Sequence, residues 1–530
     1  MDVFARRLQV LQAEAFTATL RGIRRGIEKE SLRVTQEGHL AQTPHPAALG
    51  SALKHPNITT DFSEALLEFI TPVCDNIGEA LSWLDNIHAF TSGVLAQQGE
   101  KMWVASMPCA LGSDDSIPLA QYGSTHAARM KTAYREGLGH RYGRLMQTIA
   151  GIHYNVSFPD ALWQVLRDDD GVDMPLQAYK TQRYFDLIRN FRRHLWLLLY
   201  LFGASPALCP TFVQGRAHNL QPFDDKARSL YLPFATSLRM GDLGYQSNAQ
   251  SALVVCYNSL RSYIATLKQG LTTPYPAYEK IGVRDANGHY RQLSTSLLQI
   301  ENEFYSTIRP KRITGPGETP IHALHTRGVE YIEVRCLDLN PFLPCGIDSE
   351  TAHFVEAFLL WCLLDDSPAT DEAEYGRQAR NQTAAVERGR DPALRLETAD
   401  GDRALPEWAD AFFGRISACA QLLDCAYGGG HYVASVALQR SRLQDGELTP
   451  SAALLRAMRE QQKSFFRLAS DLSQQHAQHF AGHPLDVGRE AYFNEAAQAS
   501  LTSQRALEAA PQTETFEEYL ARYYAQYAVV

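Results

Sequence analysis

Acidic side chains stand at alternate positions inside segments that otherwise read as β-strands, and this pattern limits how the chain can fold more than any other. In R-G-I-E-K-E-S-L-R (residues 25–33), the two-residue period of a strand puts Glu28 and Glu30 on one face. The two carboxylates then lie within about 7 Å of each other. They repel, and a shared environment raises the pKa of one unless a cation sits between them. Taken alone, E-x-E also fits the wetted face of an antiparallel sheet.

The pattern repeats in three further segments. Residues 60–72 carry Asp61, Glu64 and Glu68, the last among Leu66, Leu67, Phe69 and Ile70, where an unpaired carboxylate is costly. Residues 151–158 alternate His153, Asn155 and Ser157 with Ile152, Tyr154, Val156 and Phe158. Residues 331–336 set Glu333 and Arg335 against Ile332 and Val334. Several such strands converging on one sheet imply a basin of oxygen ligands. Carboxylates with at most one imidazole suit a hard cation, Mg²⁺ or Mn²⁺, rather than zinc. Basic residues accompany the acids. Arg309-Pro-Lys-Arg312 follows Glu301 and Glu303, and Arg239 and Arg335 sit in apolar or strand contexts. Arginine with Mg²⁺ is the usual apparatus for a transferring phosphoryl group. The 309–312 run reads equally well as a solvated basic turn.

Around these segments, residues up to about 345 mix amphipathic helical stretches with short alternating runs. Strands are expected over 26–34, 39–42, 66–71, 151–158, 298–308 and 329–337, which makes the class α+β with a mainly antiparallel sheet. After residue 348 the periodicity is helical. Thr449 and Pro450 open one helix there, and glycines 428–430 end another. With 530 residues, 45% apolar and 21% charged, the chain can bury more than one core, which excludes disorder as its main state. A net charge of −9, spread along the sequence, gives no basic field for nucleic acid. The longest apolar runs, 195–204 and 354–364, fall short of the roughly 20 residues that span a bilayer. The N-terminus lacks the pattern of a signal peptide, so a cytoplasmic location is expected. Nine cysteines with no C-x-x-C read as reduced thiols. No Walker A loop, G-x-G-x-x-G after a strand, G-x-S-x-G elbow or H-E-x-x-H is present.

Taken in order, residues 25–34, 58–72, Q-Y-G-S (121–124), Y-R-E-G (134–137), G-I-H-Y-N (151–155), Y-L-F-G-A-S-P (200–206), S-L-R-M-G-D-L-G-Y (237–245), Q-I-E-N-E (299–303), I-R-P-K-R (308–312) and Y-I-E-V-R (331–335) resemble the proteobacterial glutamate–cysteine ligase family. The resemblance runs from about residue 21 to 348. It implies a glutamine synthetase-like catalytic fold, a curved antiparallel sheet forming a funnel, in a region 1–348 that holds the metal, ATP, glutamate and cysteine sites. A mainly helical region, 349–530, is expected to pack on it. The implied reaction joins the γ-carboxylate of L-glutamate to L-cysteine through γ-glutamyl phosphate, with ATP as co-substrate, as the first step of glutathione synthesis. Carried over by residue, Glu28, Asp61 and Glu68 would hold one metal ion, and Glu30, His153 and Glu333 a second. Glu28 and Glu333 would help bridge a third, so two to three Mg²⁺ or Mn²⁺ ions are implied. Arg239 and Arg335 would contact the phosphoryl group or glutamate. Tyr134, Arg135, Leu138, Gln147, Asn155, Tyr245 and Tyr305 would line the cysteine pocket. Feedback by glutathione and a monomeric state complete the expectation. A phosphotransferase of the same fold with another acceptor, such as a guanidino kinase-like enzyme, is one rival. A non-catalytic sensor is another, and it would be expected to lose some of the carboxylates that are all present here.

Overall fold

The alternation at residues 25–34 becomes a twelve-residue strand, β1 (Arg24–Thr35), inside a seven-stranded sheet. The computed structural model describes residues 2–244, 250 and 253–530. The other strands of the sheet are β2 (Ile58–Thr60), β3 (Leu66–Ile70), β4 (Glu100–Met102), β5 (Ile152–Ser157), β6 (Ile308–Lys311) and β7 (Tyr331–Leu337). They run β2-β3-β1-β5-β7-β6, with β4 on the far end of β1, and every pairing is antiparallel. The register sets Glu30 opposite Glu68, Glu28 opposite His153 and Glu333 opposite Asn155. Because cross-strand partners share a face, one surface of the sheet carries all six of these side chains.

The opposite surface is apolar, with Ile27, Phe69, Ile152, Tyr154, Val156, Ile332 and Val334 all buried. Lys29, between the two glutamates in sequence, therefore points away from them. Its ammonium lies 2.7 Å from His88 Nε2, and burial pushes its pKa down to about 8. The helices used below are α1 (Ile77–Gln97), α2 (His126–Tyr142), α3 (Leu176–Phe202), α4 (Leu260–Thr272), α5 (Pro320–Arg327), α6 (Ser349–Leu364), α7 (Leu405–Tyr427), α8 (Pro450–Glu460) and α9 (Phe516–Ala525). Helices α1 and α3 pack on the sheet, and α6 packs on α3 and α7. Among the described residues, no helix is long and apolar enough to cross a membrane, and the nine cysteines are free thiols.

Two expected strands differ. Within 298–308 only the last residue enters β6, and Glu301–Glu303 forms a single 3₁₀ turn. Both carboxylates there are buried, and each recruits its own donors, which fixes a turn in place of a ladder. Glu301 accepts from Ile321 N at 2.9 Å and from the Tyr527 hydroxyl. Glu303 accepts from Arg141 at 2.9 Å, Tyr142 at 2.7 Å and Gln299 N at 2.5 Å. Residues 39–42 make only isolated bridges, from Leu40 to Val34 and from His39 to Ala110. The basic run does not stay in solvent as a loose turn, since 309–311 lie in β6. The helix signals are realised: Thr449 caps α8 with Pro450 in its first turn, and Gly428 ends α7 at a φ of 81° that suits glycine.

A buried ion pair fastens the sheet to α6. Arg25 Nε and Nη2 donate to the two oxygens of Glu356 at 2.8 and 3.0 Å, and Tyr154 and Tyr432 donate to the same carboxylate at 2.8 and 2.7 Å. Burial alone would raise Glu356, but Arg25 and the phenols outweigh it and hold the carboxyl below its usual range. Removing one partner strands the other charge in the core. Glu356→Ala is expected to destabilise the fold by roughly 3–5 kcal/mol, read as a clear fall in the thermal unfolding midpoint. An unchanged midpoint would show that the pair does not hold α6 to the sheet.

Candidate active site

The carboxylate-bearing face of the sheet forms the floor of a cavity of ≈ 490 Å³. Glu28, Glu30, Asp61, Glu68, His153, Glu333, Arg239, Arg335, Tyr134, Arg135, Leu138, Gln147 and Tyr305 all border it. Asn155 stands behind this wall and donates to Glu28 Oε1 at 3.0 Å. Tyr245 lies outside the described residues. Glu64 turns away from the cavity and accepts the backbone N–H groups of His45 at 2.6 Å and Gln121 at 2.5 Å.

His153 is the hub of the floor. Its Nδ1 lies 3.1 Å from Glu28 Oε2 and 3.6 Å from Glu333 Oε1, and its Nε2 lies 3.9 Å from Glu30 Oε1. Arg335 donates to Glu333 Oε1 at 3.0 Å, and Lys311 Nζ stands 3.5 Å from Glu333 Oε2. The carboxyls separate electrostatically according to these neighbours. Burial would raise Glu333, but Lys311 and Arg335 outweigh it and hold it well below the usual range. Burial likewise opposes the His153 hydrogen bond at Glu28, and the net direction is down. Glu68 goes well up, first through burial and then through repulsion by Glu28, Asp61 and Glu30. Glu30 is also raised, again chiefly by burial.

The side chains on the floor fit a hard cation. Glu28, Glu68 and His153 each offer a ligand atom, and these atoms lie within 4.8 Å of one another. That grouping cuts across the two metal sets implied by the sequence resemblance. Two acceptors, Glu333 Oε2 and Asn155 Oδ1, are buried without a hydrogen-bond partner. Carboxylates raised by burial and crowded by like charges, beside orphaned oxygens, are what a divalent ion would relieve.

The walls differ in kind from the floor. Tyr134, Arg135 and Leu138 come from α2, and Arg135 donates to the carbonyl of Asp61, tying that helix to the loop after β2. Gln147 Nε2 donates to the Tyr305 hydroxyl at 2.9 Å. Tyr305 is set by its backbone N–H, which donates to Gln250 at 3.1 Å, and by a T-shaped contact with Tyr142 at 5.9 Å between ring centroids. From the far end of the chain, Tyr519 and Tyr523 of α9 complete the rim.

Sequence reasoning missed the residue that holds Arg239. Asp338, 4% exposed, accepts from Arg239 Nε at 2.8 Å, Ser205 Oγ at 2.6 Å, Ser237 Oγ at 2.9 Å and Ala204 N at 2.8 Å. Arg239 Nη2 also donates to Leu337 O at 2.8 Å. A Cβ at Gly151 would come within 2.7 Å of Arg239 Nη1, so only glycine lets the guanidinium approach β5 this closely. The signal was available: Asp338 is a lone acid between Leu337 and Leu339, the same context that marked Glu68.

An antiparallel funnel with a carboxylate floor and arginines at its edge defines a glutamine synthetase-like α+β enzyme fold. Comparison with known proteins narrows the class. A family model described as glutamate-cysteine ligase matches residues 8–385. The glutamate–cysteine ligase of Pseudomonas paraeruginosa is 50% identical over 524 residues, covering 99% of this chain and 98% of its own. The crystal structure of the Francisella tularensis glutamate–cysteine ligase, solved with AMP, superposes with a TM-score of 0.89 at 37% identity, over 96% of this chain and 98% of that one. A bifunctional glutathione synthetase from Pasteurella multocida matches with a TM-score of 0.71 at 27% identity, over 89% of this chain and 55% of that one. The chain belongs to the glutamate–cysteine ligase family, enzymes that form γ-glutamylcysteine in glutathione biosynthesis.

Asp338 fixes Arg239 where its guanidinium borders the cavity. Asp338→Asn removes the charge that fixes the guanidinium, and a misplaced positioning group lowers rate by about 10²-fold. We expect kcat/KM to fall by one to two orders of magnitude with the circular dichroism spectrum and unfolding midpoint retained, and Asp338→Glu to recover part of the loss. Wild-type kinetics in Asp338→Asn would show that Arg239 needs no such support.

Proposed function

We propose that this pocket joins the γ-carboxylate of L-glutamate to the amine of L-cysteine in two steps driven by ATP, with γ-glutamyl phosphate between them. The observation that carries this reading is the meeting, in one cavity, of a buried carboxylate floor, the guanidinium groups of Arg239 and Arg335, and a small wall of tyrosine and glutamine. An amide cannot form from a carboxylate at neutral pH until one oxygen becomes a leaving group, so the γ-carboxylate attacks the γ-phosphorus and ADP departs. The AMP held by the Francisella relative supports nucleotide use here.

Glu28, Asp61 and Glu68 would hold one divalent ion and Glu30, His153 and Glu333 another, with Glu28 and Glu333 shared by a third. Bound there, Mg²⁺ or Mn²⁺ would neutralise the anionic oxygens that approach each other in phosphoryl transfer. Arg239 and Arg335 add fixed positive charge at the edge of the same floor, where charge develops on the moving phosphoryl group. Asn155, by donating to Glu28, steadies that carboxylate from behind the cavity wall and would act on the cysteine side through it. Tyr134, Leu138, Gln147 and Tyr305, with Arg135 and Tyr245, would receive cysteine and keep water from the acyl phosphate. We assign these substrate and metal groups to residues 1–348 and read residues 349–530 as a helical region packed on them, with α9 lending two tyrosines to the rim.

ADP release should be slow with glutamate or cysteine alone and rise strongly with both. Release that ignores cysteine would favour a phosphotransferase with another acceptor. Glu28→Gln and Glu333→Gln should each lower kcat by on the order of 10² or more, because the lost charge opposes phosphate accumulation in the transition state. Activity should also vanish after exhaustive chelation and return with Mg²⁺ or Mn²⁺. Near-normal turnover in either variant, or full activity in EDTA, would remove the metal from the floor.

Acceptor choice separates from phosphoryl transfer at Tyr305. Losing the ring, and the hydrogen bond it receives from Gln147, should raise KM for cysteine about tenfold in Tyr305→Ala, the 1–3 kcal/mol of a small pocket contact. KM for ATP should change little. Steady-state kinetics at saturating ATP and glutamate measure this, and a rise confined to KM for ATP would place Tyr305 on the nucleotide side.

A further inference from the structure

Most of the cations that border the carboxylate cavity are committed to partners in the chain. Arg335 and Lys311 face Glu333, Asp338 clamps Arg239, and Arg309 donates to Asn302 O and Phe304 O. Arg135 donates through Nε to Asp61 O and through Nη1 to Lys131 O. Lys131 itself is different. It borders the same cavity and is solvent-exposed, yet among the described residues its ammonium makes no hydrogen bond and no ion pair.

The place of Lys131 follows from the helix that carries it. It stands three residues before Tyr134 and four before Arg135, so the three share one face of α2. Ala127, a turn earlier on that face, also borders the cavity, as do Tyr519 and Tyr523 at the rim. Lys131 therefore lies between the mouth and the wall made by Tyr134 and Leu138. Its ammonium is 5.0 Å from the centroid of the Tyr122 ring, and the Arg135 guanidinium carbon is 4.6 Å from the same centroid. Tyr122 is buried, and its hydroxyl lies 2.7 Å from Thr60 O and 2.9 Å from Asp61 O, so the ring is a fixed platform under both cations. Partial withdrawal from water between the cavity walls, then the Arg135 guanidinium, push the Lys131 pKa down to about 8, which leaves it an ammonium at neutral pH. Glu68 and Asp61 pull the other way, but neither comes within ion-pair distance, and both belong to the floor that would hold a divalent ion. Two like charges on one ring, with no carboxylate of the chain paired to Lys131, suit an anion brought by the substrate.

We propose that Lys131 determines acceptor specificity by binding the α-carboxylate of the incoming amino acid, so that the site takes an amino acid in preference to a simple amine. The carboxylate then faces the mouth, the amine points inward to the acyl phosphate, and the thiol side chain lies along the wall of Tyr134 and Leu138. The donor's γ-carboxylate is placed elsewhere, at the floor beside Arg239 and Arg335. This assignment rests on the reading that cysteine is the acceptor.

The test compares cysteine with cysteamine, which has the same amine and thiol and lacks only the carboxylate, in the full-length enzyme at saturating ATP and glutamate. Wild type should favour cysteine in kcat/KM. In Lys131→Met, which keeps the side chain's length and removes its charge, KM for cysteine should rise about tenfold. KM for cysteamine, glutamate and ATP should stay put, and Lys131→Arg should keep most of the preference for cysteine. The unfolding midpoint of Lys131→Met should match wild type, since the side chain is exposed and carries no hydrogen bond. Equal shifts for the two acceptors, no shift for cysteine, or a rise in KM for glutamate instead, each overturns the anchor. So does a wild type that uses both acceptors equally well, or a lowered midpoint in Lys131→Met with both acceptors weakened, which marks a structural role. Wild-type enzyme whose ADP release is raised by neither acceptor would overturn instead the reading of cysteine as acceptor, and that result is seen before any variant is made.

Discussion

Repulsion among carboxylates on one face of adjacent antiparallel strands is the interaction on which the rest of this structure depends. Glu28, Glu30, Glu68 and Glu333 share a half-enclosed floor with Asp61, and the register of β3, β1, β5 and β7 leaves them no way to separate. Lys29 is adjacent in sequence to two of them but cannot neutralise either. The strand's two-residue period sends it through the sheet to His88, away from the acids. Positive charge must therefore come from across the floor. Arg335 and Lys311 supply it at the Glu333 end, which is why that carboxyl is held low. At the other end Glu68 makes no ion pair among the described residues, and burial, then repulsion by Glu28, Asp61 and Glu30, drives it up. The gradient across the floor points to the end where a bound cation has most to gain.

Buried acids elsewhere in the molecule show what a purely structural carboxylate looks like here. Glu356 takes both forks of Arg25 and two phenols, Asp338 takes four donors around one arginine, and Glu64 takes two backbone N–H groups. Each is saturated by groups of the chain itself. Glu333 on the floor is not: its Oε2 has no hydrogen bond, and the neighbouring Asn155 Oδ1 is also left over. Saturation, more than burial, separates the acids that hold the fold from Glu333 on the cavity floor. The two groups are coupled through Asp338, since the acid that fixes Arg239 lies just beyond the strand that carries Glu333 and Arg335.

The floor was legible in the sequence because strand alternation is a local rule, and Glu28, Glu30, Glu68, His153 and Glu333 obey it residue by residue. What was not legible followed from partners far away in the chain. Residues 298–308 alternate well enough to suggest a strand, yet Glu301 and Glu303 are claimed by Tyr527 and Arg141, and the backbone turns instead. Glu64 carried the same signature as Glu68, one helical turn earlier in sequence, but the loop between β2 and β3 aims it at the N–H groups of His45 and Gln121. Asp338 was passed over because it follows the strand instead of alternating within it. The tyrosines of α9 reach the rim across a separation in sequence of several hundred residues, and no local pattern encodes that contact.

The same separation explains why the last helix can matter to a site built by the first part of the chain. Tyr527 donates to Glu301, Gln526 accepts from Thr319 N at 2.9 Å and donates to Gly317 O at 2.8 Å, and Tyr524 donates to Gln299 O at 2.9 Å. On the other side of the rim, His126 at the start of α2 lies 2.7 Å from Glu514 O, and Arg129 stacks over Phe516 at 4.3 Å. Residues 514–527 thus bridge the cavity wall on α2 to the loop before α5. Neither wall is joined to the other by the sheet, because α2 precedes β5 and α5 follows β6 at the opposite end of the strand order. Residues 514–527 close that gap by hydrogen bonds to backbone groups and to the Glu301 carboxylate, contacts that fix the spacing of the walls without adding charge to the floor.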